Sequence, residues 1–369
     1  MYPKHTLRLS AASRQLFRSA SSPQPSTSHL IPITTPPQPP TRPRTYTTAT
    51  TSVYPPSNRL KGRSCMITGG TSGIGYAIAA RFLHEGIDQV ILVGRSHARL
   101  VSAATKLSSS TAEPPSQPQS SSSPETPQQH TLLPFSQTIS LLVGDIADAA
   151  SWSRELEKVM QTTNPTHLIN AAGLSISSVL PKSSPEDIAR ILDTNLQGAI
   201  LTTRAFLRAA MRNHVRTKRS SSPAPSPSPA ASTVMGNGDG ENSSGVLDPP
   251  TPSKSIINIA SLLAHKGGTG AVTYAASKAG ILGLTRSVAV EAGTAMREVR
   301  VRSNAIVPGY VETPMIEDFS EGETTRLKQS IPLGRFGLPH EVADAAVFLA
   351  LNEYANNCVL NLDGGLSAV

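Results

Sequence analysis

Six short runs rich in β-branched and aliphatic residues punctuate the chain, at 64–68, 89–93, 138–143, 167–170, 255–259 and 300–306, with segments of helical character between them. This alternation predicts a single α/β domain, a doubly wound parallel sheet flanked on both faces by helices. The helices that matter most are expected over 76–85, 98–107 and 185–212.

The pattern fails in three patches that collect Pro and Ser. The chain has 369 residues and 31 prolines, about 8% against a typical ~5%. Residues 108–137 are rich in Ser, Pro and Gln, and residues 213–253 contain a run that alternates Ser or Ala with Pro from Ser222 to Pro229. Neither holds enough apolar surface to offset the entropy of ordering, so both are expected to be disordered insertions. Each follows a helix and precedes a strand, a connection that sits at the amino ends of parallel strands. Ligands bind at the carboxyl ends, so both insertions are expected to hang away from any active site.

The remaining patch is the leader, residues 1–58. Leu9, Leu16, Phe17 and Ala20 share one helical face, Arg14 and Arg18 lie opposite, and the segment has no Asp or Glu. A cationic amphipathic helix of this kind is the expected form of a mitochondrial presequence, followed by a Pro-rich linker over 32–56; a disordered basic tail is the alternative. Without the three patches there remain on the order of 240 residues, one large α/β domain over 59–369.

Charge and cysteine content narrow the classes. The 33 Lys and Arg against 25 Asp and Glu give +8, but six of those cations lie in 1–58, leaving 27 against 25 for the body. A nucleic-acid surface needs its cations on the folded domain, so none is expected. No apolar run approaches the roughly 18 to 20 residues of a membrane helix. Cys65 and Cys358 lack any C-x-x-C spacing, so neither a disulfide framework nor a metal site is expected.

Candidate chemistry begins at the first strand, which runs into Thr68-Gly69-Gly70-Thr71-Ser72-Gly73-Ile74-Gly75 and then a helix. Glycines at a strand-to-helix turn let the backbone approach a pyrophosphate, which the free N–H groups of the helix start stabilise. No Gly-Lys-Ser/Thr follows, which favours a dinucleotide over a nucleoside triphosphate. The second strand ends at Gly94-Arg95-Ser96. A cation and a hydroxyl, where an NAD site would place an acid, suit a 2′-phosphate and predict NADPH.

Ser261 follows the strand at 255–259, and Tyr274 and Lys278 lie four apart on the next helix. A fixed ammonium beside a phenol is expected to lower its pKa from near 10 toward the working range. With these residues assembled, the sequence resembles the short-chain dehydrogenase/reductase family over about 60–369 apart from the insertions. The resemblance rests on Thr68-Gly69-x-x-x-Gly73-x-Gly75, Asn170-Ala171-Ala172-Gly173, Asn195, Ser261, Tyr274-x-x-x-Lys278 and Pro308-Gly309-Tyr310-Val311-Glu312-Thr313.

The resemblance implies a Rossmann fold, adenine contacts from Asp145 and Ile146, a cofactor-side loop at Asn170 to Gly173, and a nicotinamide site at Pro308, Gly309, Val311 and Thr313. It also implies carbonyl reduction. Tyr274 would give a proton to the oxygen, Ser261 would orient that oxygen, Lys278 would tune the tyrosine and hold the ribose, and Asn195 would anchor a water relay. Ala171 departs from the family, which more often has a second asparagine there. His84, His265 and His340 match no acid–base pattern and are expected to be structural or surface residues.

Further segments resemble 3-oxoacyl-[acyl-carrier-protein] reductases: 274–291, Ser303 to Gly309, Ile331 to Gly337 and Asn361 to Gly365. The resemblance implies an acyl thioester substrate on an acidic acyl carrier protein, a short lid over 311–330, mitochondrial fatty-acid synthesis and a homotetramer with contacts near Asn195 and Tyr274. Arg297, Arg300 and Arg302 form a candidate docking cluster. Two alternatives stay open: an NADPH-dependent ketoreductase or alcohol dehydrogenase on a free small molecule, and a non-catalytic NADP(H) sensor or scaffold.

Overall fold

A computed structural model describes residues 57–110, 131–221 and 252–369. The presequence reading of the leader, and the cores of the two insertions at 111–130 and 222–251, lie outside the described residues.

The strands are β1 (Ser64–Thr68), β2 (Gln89–Gly94), β3 (Leu132–Pro134), β4 (Ile139–Val143), β5 (His167–Asn170), β6 (Lys254–Ile259), β7 (Val301–Pro308) and β8 (Val359–Leu362). They form one sheet in the order β3-β4-β2-β1-β5-β6-β7-β8. Every pairing is parallel except β3 with β4. The helices are α1 (Gly73–His84), α2 (His97–Ser110), α3 (Ala149–Thr163), α4 (Pro185–Leu192), α5 (Gly198–Ser221), α6 (Val272–Ala295), α7 (Glu321–Ser330) and α8 (Pro339–Leu351).

Phe82 of α1, Leu100 of α2 and Val347 of α8 pack on one face of the sheet. Trp152 of α3, Phe206 of α5 and Val288 of α6 pack on the other. Strand order reverses between β1 and β5, the switch point at which such sheets open a crevice for ligands.

Three expectations change. The 185–212 helix is interrupted by a π turn at Asp193–Gln197 and then continues to Ser221, into the stretch expected to be disordered. Its last turns are basic, and they are held because His214 and Lys218 both pair with Glu298 in the turn before β7. The other insertion ends sooner than expected, because Leu132–Pro134 pairs antiparallel with β4, Leu132 lying opposite Leu142. Residues 131 and 132 therefore stand at the carboxyl edge of the sheet, not at the amino edge where both flanks of this insertion were expected.

The third change concerns the proposed arginine cluster. Arg302 is 5% exposed, and its guanidinium donates to the carbonyls of Leu349 at 2.7 Å and Ala350 at 2.8 Å, closing the end of α8. It is a helix cap and unavailable to a partner. Arg297 and Arg300 are exposed but lie at the far end of α6 from Tyr274.

The domain also begins before residue 59. Ser57 donates its N–H to His84 O at 3.1 Å and Leu60 to Glu85 O at 2.9 Å. The Glu85 carboxylate is almost wholly buried between Arg59, Arg81 and the Ser57 hydroxyl, which together hold its pKa down at about 2 against the opposing effect of burial.

At the amino end of β5, His167 is fully buried between Cys65 and Ser255 in register, with its ring edge-on to Phe82. Neither ring nitrogen has a hydrogen-bond partner. Burial, reinforced by the charges of Arg63, Arg302 and Lys254, pushes its pKa down to about 3 from 6.5. Unfolding therefore lets this ring bind a proton at mildly acid pH. Its contribution to stability is complete above the unfolded value and is lost as pH falls from 6.5 toward 3, at up to about 1.4 kcal/mol per pH unit. Urea midpoints measured from about pH 7 to about pH 4 should fall steeply in the wild type and less steeply in His167→Leu. Equal slopes would assign the acid sensitivity to other groups.

Candidate active site

The glycine loop between β1 and α1 is built by exclusion of side chains. Gly69 has φ +70, and a Cβ there would lie 2.7 Å from Ala172 Cα; one on Gly75 would lie 2.4 Å from the Gly69 carbonyl oxygen. At Gly73, φ +55, a Cβ would come 3.2 Å from the Thr313 methyl. The N-cap Ser72 makes no capping bond and the first turn of α1 has no acid. Its N–H groups thus face the crevice without an anion of the chain's own, a polarity that suits the pyrophosphate of a dinucleotide. Ile74 packs against the core and leaves its backbone to the loop.

The loop is tied to the segment after β5. Thr68 Oγ1 accepts the N–H groups of Ala171 at 3.2 Å and Ala172 at 3.3 Å. This role of Thr68 was not singled out in the sequence, although the residue opens the motif. Asn170 Nδ2 bonds to Thr203 Oγ1 at 3.1 Å and Asn258 Oδ1 at 2.8 Å, so it braces β5 against β6 and α5.

Where the sequence places the adenine, Gly94 admits Thr71: a Cβ at Gly94 would lie 3.2 Å from the Thr71 methyl. Arg95 is exposed, and Ser96 Oγ accepts the Arg99 N–H at 3.4 Å at the start of α2. Asp145 turns back on its own loop to accept the Ala147 N–H at 3.0 Å, while Ile146 is buried against Gly198. On the nicotinamide side, Pro308 ends β7, the Gly309 N–H bonds Leu362 O at 2.9 Å, and Val311 is buried where its strand-like segment meets Gly337. Thr313 then reaches the glycine loop at Gly73.

The acid–base residues converge at the carboxyl edge of β5 and β6. Ser261 caps the short turn Leu262–Ala264, its Oγ accepting the Leu263 N–H at 3.2 Å, and its hydroxyl lies close enough to that of Tyr274 to oppose the effect of burial on the phenol. Lys278 is buried, with Nζ 5.7 Å from the centre of the Tyr274 ring and donating to the Ile259 carbonyl at 2.9 Å. Gly173 completes the group: a Cβ there would lie 3.3 Å from Lys278 Nζ and 3.5 Å from Asn195 Oδ1. Asn195 accepts the Leu174 N–H at 2.8 Å and donates to Leu174 O at 3.0 Å.

Burial acts on both groups. Burial raises the Tyr274 pKa, opposed by the Ser261 hydrogen bond, and burial lowers Lys278 to about 8. Each direction disfavours the charged form in the site as it stands, and the amine donates to a backbone carbonyl. His265 and His340 are exposed, and His84 sits beside Arg81 on the last turn of α1.

The segment 311–330 holds the short turn Pro314–Ile316 and α7. Leu262, next to Ser261, packs beneath it with Leu327, Ile331, Phe336 and Leu366. Among the described residues, no group of three or more His, Cys, Asp or Glu side chains could hold a metal ion, and no helix is long and apolar enough to cross a membrane.

Comparison with known proteins agrees with this geometry. Residues 64–222 match a family model described as KR domain, and residues 246–367 one described as enoyl-(acyl carrier protein) reductase. The chain is 30% identical over 302 residues to 3-oxoacyl-[acyl-carrier-protein] reductase of Bos taurus, covering 82% of this chain and 97% of that protein. It is 34% identical over 222 residues to the Homo sapiens protein of the same name, covering 60% and 74%. A solved Beutenbergia cavernae protein, assigned as an NAD(P)-dependent gluconate 5-dehydrogenase and holding NADP at low occupancy, superposes with a TM-score of 0.63 at 25% identity, over 86% of this chain and 100% of that one.

Gly75→Ala should weaken nucleotide binding by at least about ten-fold, because the methyl group must push the Gly69 carbonyl into the cradle. Fluorescence titration with NADPH checks this, and an unchanged Kd would show that the loop does not hold the nucleotide.

Proposed function

Because the chain belongs to the short-chain dehydrogenase/reductase family, whose members are oxidoreductases of carbonyl and CH–OH groups, we propose that it reduces 3-oxoacyl thioesters carried on acyl carrier protein. NADPH is the proposed hydride source, and the product is the 3-hydroxyacyl thioester. The observation that carries this reading is that Lys278 lies beside both Tyr274 and Gly173, the latter on the segment that packs against the glycine loop, and Ser261 lies beside Tyr274.

Each residue has a definite part. When bound, the nicotinamide cofactor would supply the hydride that reduces the carbonyl carbon. Tyr274, kept protonated by burial, gives its hydroxyl proton to the oxygen as negative charge develops there. Ser261 donates a hydrogen bond to the same oxygen. Lys278, fixed by the Ile259 carbonyl, places a positive charge near the phenolate that forms. Gly173 keeps the space beside the amine open.

Preference for NADPH is supported by Gly94-Arg95-Ser96, where the end of β2 has no carboxylate and an exposed guanidinium. The acyl carrier reading is supported by the names of the bovine and human relatives. It is also supported by α5, which bears Arg204, Arg208, Arg212, Arg216, Lys218 and Arg219 and no acid. Glu157 is the shared partner of the first three, which leaves a net positive face. A homotetramer is proposed through the helix that bears Tyr274, where the apolar Val290 of α6 is exposed.

A second reading, reduction of a free small ketone, is favoured by the lid. Residues 311–330 carry Glu312, Glu317, Asp318, Glu321 and Glu323 against Arg326 and Lys328, which is unfavourable for a polyanionic substrate crossing it.

NADPH consumption by the full chain should be faster with acetoacetyl-carrier protein than with simple ketones, and kcat/KM with NADPH should exceed that with NADH by about ten-fold or more. Tyr274→Phe should retain the nucleotide and lose roughly 10²–10⁴-fold in kcat. Preference for free ketones would favour the second reading. Unchanged turnover in Tyr274→Phe would remove the proposed proton donor.

The mitochondrial matrix is the proposed location, supported by the acid-free leader with its opposed apolar and arginine faces. Residues 1–58 fused to a fluorescent protein should direct it to mitochondria. A diffuse cellular distribution would overturn that location and leave the chemistry untouched.

A further inference from the structure

Ser277 precedes Lys278 on α6 and is fully buried, and the reaction outlined above gives it no part. Its hydroxyl donates to the Tyr274 carbonyl at 2.7 Å and accepts from Asn195 Nδ2 at 3.1 Å. The second N–H of that amide goes to Leu174 O, so both of its donors are committed. Asn195 itself lies in the π turn Asp193–Gln197, a conformation rare in proteins and dependent on its surroundings. That turn meets α6 at a second point, where a Cβ on Gly280 would fall 2.7 Å from Leu196 Cδ2.

These contacts form one chain. Tyr274 and Lys278 belong to α6, Ser277 joins α6 to the Asn195 amide, and that amide grips both backbone polar groups of Leu174, the neighbour of Gly173. We propose that Ser277 is a positioning residue: its hydroxyl fixes the orientation of the Asn195 amide and so sets the backbone at 173–174 against Tyr274 and Lys278. The inference rests on the reading above that Tyr274 donates the proton. Loss of the hydroxyl leaves a buried Asn195 N–H without its acceptor, and the amide can recover a partner only by turning away from Leu174. The glycine loop is not part of this chain, so nucleotide binding is expected to be spared.

The test compares Ser277→Ala, Ser277→Thr and Gly280→Ala with the wild type in the full chain. Three quantities are read: kcat and KM across pH, hydrogen exchange of the Leu174 amide without nucleotide, and thermal stability. In Ser277→Ala, exchange at Leu174 should rise about ten-fold and kcat should fall about ten-fold, with KM for NADPH within about two-fold and a displaced pH profile. Ser277→Thr, which keeps the hydroxyl, should recover most of the kcat. Gly280→Ala, which moves the same turn by a different contact, should shift the pH profile in the same direction.

Wild-type exchange at Leu174 together with wild-type kcat in Ser277→Ala would overturn the inference. So would a general loss of stability in which kcat and nucleotide KM change together, since that is the mark of lost packing alone. If the wild type turned over no carbonyl substrate, the functional reading would fail while the exchange measurement still decided whether Ser277 positions Leu174.

Discussion

At the junction of β1 and β5, two loops from different strands approach until no side chain fits between them. Gly69 lies against Ala172, Gly75 lies against Gly69, and the Thr68 hydroxyl accepts two N–H groups from the opposing loop. Each such bond contributes only about 0.5–1.5 kcal/mol net, but a buried N–H left without an acceptor costs about 1–3 kcal/mol, so the arrangement resists piecemeal change. Because Ala172 is followed by Gly173 and Leu174, the same contact that shapes the phosphate cradle also locates the acid–base residues. The nucleotide half and the proton-transfer half of the site therefore meet on one short segment, the first held through Ala171 and Ala172 by Thr68 and the second through Leu174 by Asn195.

Burial sets the protonation states within that frame. Tyr274 is raised and Lys278 is lowered by the same cause, withdrawal from water, and each change disfavours the charged form. A protonated phenol suits proton donation to a carbonyl oxygen. The amine is held by Ile259, the last residue of β6, and Ser261 lies just beyond the end of that strand. The sheet thus places the hydroxyl and the amine from one strand end, while α6 supplies the tyrosine between them.

What could be read from the sequence was what depends on local pattern. The spans of β1 and β5 coincide with their apolar runs, and the glycine loop lies where its spacing puts it. Short or weakly patterned strands escaped: Leu132–Pro134 is three residues ending in proline, and Val359–Leu362 sits at the other edge of the sheet, with Val359 exposed. The π turn was hidden because one extra residue in a helical run hardly disturbs its periodicity. Thr68 and Ser277 gave no signal of their roles because their partners Ala171 and Asn195 lie 103 and 82 residues away in sequence. Arg302 was misread for a related reason. Nothing beside it in sequence distinguishes a solvated arginine from one that closes the end of α8.

The distribution of charge bears on how a substrate reaches this site. The lid is acidic and α5 is basic, although the body as a whole is nearly neutral. Helix α5 begins directly after the turn that holds Asn195 and leads away from the catalytic residues, whereas α7 covers the side of Leu262. An acidic carrier would be repelled by the lid and attracted along α5, so its thioester would arrive past the Asn195 turn and not across α7. A neutral ketone would feel neither field strongly and could enter from either side. Under the proposed function, the segregation of charge onto two separate elements would separate the two kinds of substrate by approach before any contact with Tyr274, a constraint that the catalytic residues alone do not contain.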